Sequence, residues 1–238
     1  MKLDVLAIGA HPDDIEITCA GTIIKLVGSG KSIGILDLTE GELGTRGSRE
    51  ERREEARVAA SLLGITVREN LGLADGNIAV TKENILSLVR LLRRFRPETL
   101  LIPYEKDRHP DHVHAHTLCR EAWFYAGLGK IDTIEKDLAQ APHRPHNFYQ
   151  YMQWYEFEPS FIVDVSETWP RRMDSVRAFK SQFHNPESPD PQTLLSSPGF
   201  FDFIETRAKY YGSRIGVQYG EPFFLERTPG VSDLSAII

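Results

Sequence analysis

Cysteine is almost missing from this chain: Cys19 and Cys119 are the only two in 238 residues, so no disulfide framework can be read. Both fall in segments that read as helices with no second cysteine nearby, which predicts two reduced, buried thiols and excludes a thiolate metal site. Basic charge is not in excess either. The 28 Lys and Arg stand against 34 Asp and Glu, a net charge of -6, which argues against a nucleic-acid-binding surface. No apolar run approaches the roughly 18 residues of a membrane span, and no basic-then-apolar leader opens the chain, so a cytoplasmic protein without a membrane partner is expected. Internal repeats are missing, as are the G-x-G-x-x-G and Walker spacings that mark common nucleotide sites. The composition, 41% hydrophobic and 26% charged, is ordinary for a globular chain large enough to bury its own core.

Against that background one stretch concentrates chemistry. Leu3 to Ala10 is apolar apart from Asp4 and reads as a strand buried on both faces of a parallel sheet. It runs into His11-Pro12-Asp13-Asp14, placing an imidazole and two carboxylates at the strand's C-terminal end, the edge where open α/β sheets bind ligands. Neutral imidazole and carboxylate are both zinc ligands, and a catalytic zinc takes three protein ligands and leaves one position open. His11 with one of the two aspartates supplies two. The plain alternative is that the aspartates only open the helix that follows, Glu16 to Val27 with Gly28 as its cap, and that His11 is an ordinary loop residue.

Strand and helix then alternate. Lys31 to Thr39 is a second strand, ending in the glycine-rich Glu40 to Gly47, which is either a mobile surface loop or an anion cradle. Ser48 and Glu51 form a capping box, and the stripe Ala56, Ala59, Ala60 and Leu63 extends back to Arg52. An inward arginine needs an anion, either a structural carboxylate or a substrate. Thr66 to Leu71 is a third strand, followed by the turn Ala74-Asp75-Gly76-Asn77. Thr81 opens an amphipathic helix with Ile85, Leu88, Val89, Leu92 and Phe95 inward, stopped by Pro97. Thr99 to Pro103 is a fourth strand, and it ends in a second cluster, Asp107-Arg108-His109-Pro110-Asp111-His112. Four of the eight histidines lie between 109 and 116. A strand order of 3-2-1-4 makes strands one and four neighbours and brings the two clusters together. His112 and His116 have the i, i+4 spacing of an HExxH zinc pair, but Val113 stands where the glutamate belongs, so His114 and His116 read as surface or packing residues.

The remainder is a loop at 141–146, strands Phe148 to Trp154 and Phe161 to Ser166, and helices Glu167 to Phe183 and Phe200 to Tyr211 around a proline-rich Asn185 to Pro198. The expected architecture is one α/β domain: a Rossmann-like, doubly wound, mainly parallel sheet over 1–130 with a smaller C-terminal elaboration over 131–238.

With both clusters in view, the chain resembles the zinc-dependent N-deacetylase family that includes the N-acetylglucosaminyl-phosphatidylinositol, mycothiol-pathway and bacillithiol-pathway enzymes, also called PIG-L/LmbE-like. The resemblance rests on His-Pro-Asp-Asp at 11–14 and His-Pro-Asp-His at 109–112. Asp37-Leu38-Thr39 with the following glycine-rich loop, Arg52-Arg53-Glu54-Glu55-Ala56 and Pro142-His143-Arg144 look like the bacillithiol branch, which acts on N-acetylglucosaminyl-malate. The resemblance implies one zinc per chain held by His11, Asp14 and His112, Asp13 as general base, His109 and Asp111 as a paired acid or charge-stabilising unit, an amino-sugar substrate and a homo-oligomer. Phe200 departs from relatives that place a tyrosine hydroxyl near the substrate. Four arginines, Arg46, Arg52, Arg108 and Arg144, are expected to face the site and capture a carboxylate. The competing readings are a zinc amidohydrolase for another small N-acyl substrate and a non-catalytic nucleotide-binding module, the latter disfavoured by the missing G-x-G-x-x-G.

Overall fold

The computed structural model describes residues 1–185, 188–231 and 233. Its strands, in chain order, are β1 (Val5–Gly9), β2 (Ile33–Thr39), β3 (Val67–Leu73), β4 (Thr99–Pro103), β5 (Ile134–Glu135), β6 (Leu138–Ala139), β7 (Asn147–Tyr151), β8 (Phe161–Asp164) and β9 (Gly220–Phe224). Seven of them form one sheet in the order β3-β2-β1-β4-β7-β9-β8. The first five in that order run parallel, and β9 and β8 are antiparallel to their neighbours, so the sheet is mostly parallel and the architecture mixed α/β. The expected 3-2-1-4 order is present.

β1 and β2 are buried at every residue, as an apolar run covered on both faces must be. The alternation of side chains sorts them. Leu6 and Ile8 join Leu36 and Leu38 on one face, beneath α4 (Lys82–Phe95) and α5 (Pro110–Ala126), where Leu88, Leu92 and Leu118 pack. Val5, Ala7, Ile33 and Ile35 face the other way, toward Ile15 of α1 (Asp14–Thr18), Ile23 of α2 (Ala20–Gly28) and Leu63 of α3 (Arg49–Leu63). Each such Leu or Ile contributes about 2 kcal/mol by leaving water. A third apolar cluster joins α3 to α6 (Trp169–Arg177) and α7 (Phe200–Ser213) through Ala59, Met173, Phe179 and Ile204.

The capping box is formed, with Glu51 N–H donating to Ser48 Oγ at 3.2 Å and Ser48 N–H to Glu51 Oε2 at 2.8 Å. Other expectations need correcting. The helix read from Glu16 to Val27 is broken at Cys19, whose φ is -138°. A buried pair from distant segments causes the break: Glu221 accepts the amides of Gly21 and Thr22 at 2.9 and 2.7 Å, while Arg172 donates to the Ile17 carbonyl and lies 3.1 Å from Glu221. The helix read over 167–183 is only Trp169–Arg177, and the strand read to Trp154 stops at Tyr151. β9 and the β5–β6 hairpin escape the sequence reading; Pro222 disguises β9, and it is tolerated because β7 pairs only with Phe223 and Phe224. Of the proline-rich stretch Asn185 to Pro198, residues 186 and 187 lie outside the described residues. No helix among the described residues is long and apolar enough to cross a membrane.

Candidate active site

Because β1 and β4 are parallel neighbours, the loops leaving their C-terminal ends meet on one edge of the sheet. The turn after β1 is tight: a Cβ on Gly9 would stand 3.1 Å from the His11 carbonyl and 3.2 Å from Asp14 Cβ. Asp14 Oδ2 accepts the His11 amide at 3.0 Å, and Asp13 takes φ = 113°, a conformation that costs a non-glycine residue about 1–3 kcal/mol and marks functional positions.

Ligand-capable atoms of His11, Asp14 and His112 all lie within 4.8 Å of one another. Asp14 Oδ1 is 3.3 Å from His112 Nε2, and Asp14 Oδ2 is 3.8 Å from His11 Nδ1. The opposite ring nitrogens are backed by carboxylates. His112 Nδ1 is 2.8 Å from Asp107 Oδ1, and His11 Nε2 is 3.1 Å from Asp75 Oδ1 and 3.3 Å from Asp111 Oδ2. Metal-binding histidines have this arrangement, in which an outer carboxylate fixes the tautomer and the ring. Burial opposes charge on both rings, yet hydrogen bonds to the Asp111 and Asp75 carboxylates push His11 up to about 10, and the Asp14 charge with a hydrogen bond to Asp107 pushes His112 up to about 9. Burial raises Asp14 less than the His112 and His11 charges lower it, leaving it well below the carboxylate range. Two imidazoles and a carboxylate drawn together in this way suit a divalent cation. His11, His109 and Asp111 lie equally close together, but the Asp111 carboxylate is already occupied by the amides of Gly76 at 2.7 Å and Ile78 at 3.3 Å, so Asp14 is the freer ligand.

Asp13 is 4% exposed, with Oδ2 3.4 Å from Arg52 Nη2. Burial pushes its carboxyl up to about 7 against the opposing Arg52 charge, the range suited to a general base at neutral pH. His109 caps α5, its Nδ1 accepting the Asp111 amide at 3.2 Å, and its ring lies 4.9 Å from that of His112. Burial and the neighbouring His11 and His112 charges lower its pKa, and the Nδ1 that accepts the Asp111 amide carries no proton. The Asp111 carboxylate lies near the His109 ring, but its hydrogen bonds go to His11 and two backbone amides, and its hydrogen bond with His109 runs through its own main-chain amide.

The arginines divide. Arg52 lines the cavity and its anion is Asp13, with a further hydrogen bond to the Pro12 carbonyl. Arg108 lines the mouth, exposed, 5.2 Å from the Trp154 ring centroid. Arg46 and Arg144 are corrected. Arg46 is buried and donates to the carbonyls of Ser181, Asp190 and Pro191 at 2.9 to 3.4 Å, anchoring the glycine-rich loop rather than facing the site. That loop is also tied by the Leu43 amide to Asp75 at 2.8 Å, so it is a fastened rim and not a cradle of free amides. Arg144 precedes β7, at the N-terminal edge of the sheet, where it donates to the Phe124 carbonyl and packs over Trp123 and Phe124.

Several groups at the site were not singled out by sequence. Asp75 and Asp107 back the two histidines; both sit in loops after parallel strands, which was the available signal. Gln153, Trp154, Phe203 and Arg207 line a cavity of about 320 Å³ with Phe200 and the residues above. Phe200, Phe203 and Arg207 share a face of α7 by their i, i+3, i+7 spacing. The Trp154 and Phe203 rings stack at 5.1 Å, and Arg207 lies 5.3 Å from Phe203. Phe200 is buried beside Phe183 at 5.8 Å and offers no donor. His116 packs, bonded to the Pro103 carbonyl at 3.0 Å, and both cysteines are free and buried.

Residues 6–123 match the family described as PIG-L, GlcNAc-PI de-N-acetylase. A diacetylchitobiose deacetylase from Thermococcus kodakarensis is 34% identical over 229 residues, 91% of this chain and 80% of that one. The chain belongs to the PIG-L family. The crystal structure of a conserved protein from Thermus thermophilus superposes on this PIG-L member with a TM-score of 0.87 at 36% identity, over 98% of each chain. The 4-oxalmesaconate hydratase of Pseudomonas putida is 26% identical over 192 residues, 75% of this chain and 74% of that one. The relatives of this PIG-L chain thus include a deacetylase and a hydratase.

Proposed function

We propose that this PIG-L protein is a zinc-dependent hydrolase that removes the N-acetyl group from a small N-acetylglucosaminide. The observation that carries the reading is the carboxylate-backed His11, Asp14 and His112 set beside the buried carboxyl of Asp13, on the edge where two parallel strands open. His11, Asp14 and His112 would hold a zinc ion, which would supply an activated water, its pKa lowered to about 7, and polarisation of the acyl carbonyl. Asp13 takes the proton of the attacking water, for which a carboxyl near 7 is matched. His109, whose Nδ1 is taken up by the Asp111 amide, offers a hydrogen bond from its other ring nitrogen while the same Asp13 returns the proton to the departing amine.

For the aglycone we propose an anionic group, with N-acetylglucosaminyl-malate of bacillithiol biosynthesis as the substrate. Its support is Arg108, exposed at the cavity, and Arg207, which lines it and donates to the Gln153 carbonyl; neither is in an ion pair among the described residues. A second reading, a neutral disaccharide such as the diacetylchitobiose of the Thermococcus relative, is favoured by the stacked Trp154 and Phe203 rings, a surface suited to a pyranose face. Acetate release from both substrates and from free N-acetylglucosamine, with and without a chelator, is the test. The malate conjugate should have the highest kcat/KM and chelation should abolish it; no acetate from any N-acetyl sugar with metal-replete protein refutes the function. A homo-oligomer is part of the proposal, supported by Ile134 and Leu138, 62% and 71% exposed on the β5–β6 hairpin, and light scattering tests it.

A further inference from the structure

Amide hydrolysis moves negative charge onto the acyl oxygen, and a fixed N–H aimed at that oxygen is worth about 10²–10³ in kcat. The candidate donors around the cavity are few. Arg52 is committed to Asp13 and the Pro12 carbonyl, Arg207 to the Gln153 carbonyl, and His109 to the departing amine in the reading above, while Arg108 is exposed at the mouth and Phe200 has no polar atom.

Gln153 is different. It follows β7 by two residues, is 8% exposed, and lines the cavity beside the histidines. Its Nε2 lies 3.2 Å from Nε2 of His112, and its Oε1 is buried with no hydrogen-bond partner. The backbone around it is fastened from three sides: Arg207 donates to the Gln153 carbonyl, Trp154 N–H to Asp107 Oδ2 at 2.8 Å, and Tyr104 N–H to the Tyr151 carbonyl at 3.2 Å. A buried amide held this firmly, with its carbonyl unpaired and one N–H beyond the His112 contact, can exchange hydrogen bonds with a molecule in the cavity.

We propose that Gln153 is a catalytic residue whose side-chain N–H binds the acyl oxygen of the substrate as charge develops on it. This rests on the deacetylation reading above. The Gln153 amide nitrogen carries two N–H groups and has one contact, with His112 Nε2, so an N–H remains for a bound acyl oxygen. Gln153 lines the same cavity as His11, Asp13, Asp14 and His112, and its amide nitrogen stands 3.2 Å from a nitrogen that would hold the metal, on the wall where an acyl group polarised at that set would lie.

Two substitutions test it: Gln153→Leu, which keeps bulk and removes the donor, and Gln153→Glu, which keeps the shape and presents only acceptors at neutral pH. Three quantities are read: bound zinc by atomic absorption, kcat and KM by acetate release, and the inhibition constant of an analogue carrying a tetrahedral methylphosphonyl group in place of the acetyl. The expected result for both variants is a kcat lower by about 10²–10³ and an analogue bound more weakly by a similar factor, with KM within about threefold and zinc content unchanged. A kcat within threefold of wild type in Gln153→Glu overturns the proposal, as does a loss of zinc parallel to the loss of activity, which makes Gln153 a support for His112. Wild-type protein that releases no acetate overturns the deacetylase reading and this inference together; an active wild type with equally active variants overturns this inference alone.

Discussion

Replacing Asp13 by Asn separates a catalytic carboxylate from a structural one, because the two roles predict opposite effects on stability. The amide keeps the side chain's shape at φ = 113°, and Arg52 keeps its bond to the Pro12 carbonyl. What is lost is a group that can take and return a proton, worth about 10²–10⁴ in rate, or about 3–5 kcal/mol of transition-state stabilisation. Stability should move the other way. Burial raises the Asp13 pKa from 3.8 to about 7, so the folded protein binds a proton there that the unfolded chain has already released. Ionising Asp13 in the fold therefore costs stability, a cost absent below the unfolded pKa and complete above about 7; the shift bounds it at about 4 kcal/mol. In chelator-stripped protein, Asp13→Asn should match wild type near pH 4 and become the more stable of the two as pH rises to 8, as followed by urea denaturation. Reloaded with zinc, it should bind metal normally and release acetate at a rate lower by at least 10²-fold. If the variant is destabilised at pH 8, Asp13 is chiefly the counter-ion of Arg52; if it retains a tenth or more of the activity, the proton passes elsewhere.

His11→Ala and His112→Ala should each fall to less than a tenth of the wild-type zinc content, measured by atomic absorption after dialysis, whereas His116→Asn, a packing change, should keep it. Arg207→Ala should raise KM for an anionic substrate by about tenfold and leave that for N-acetylglucosamine unchanged, while Arg144→Ala, at the far edge of the sheet, should alter neither; equal effects from the two would remove the mouth as a recognition surface. Gly21→Ala should lower stability by about 1–3 kcal/mol, because the new Cβ would stand 2.8 Å from both Glu221 Oε1 and Val165 Cβ; calorimetry checks it.

The alternation of apolar strands with amphipathic helices settled the first four strands and their helices, since a residue's face in a strand or helix follows from local period alone. The meeting of the two clusters was legible for a related reason, since each follows a strand end and strand order brings those ends together, whereas the choice of His11, Asp14 and His112 among their residues came from the family resemblance. The capping box and the inward face of Arg52 were also written locally. What period and spacing do not encode is which partner a side chain meets across the fold. Arg46 and Arg144 look alike in sequence to Arg108, but one is spent on carbonyls of the 181–191 segment and the other lies at the opposite sheet edge, because direction along a strand decides which end a loop occupies. Asp111 stands two residues from His109 yet turns to His11, a hundred positions away, since the amides of Gly76 and Ile78 hold it there. The break at Cys19 likewise depends on Glu221 and Arg172, about 200 and 150 residues further on. Local propensity fixed the elements, and long-range desolvated polar contacts, available only once the chain had closed on itself, assigned the roles.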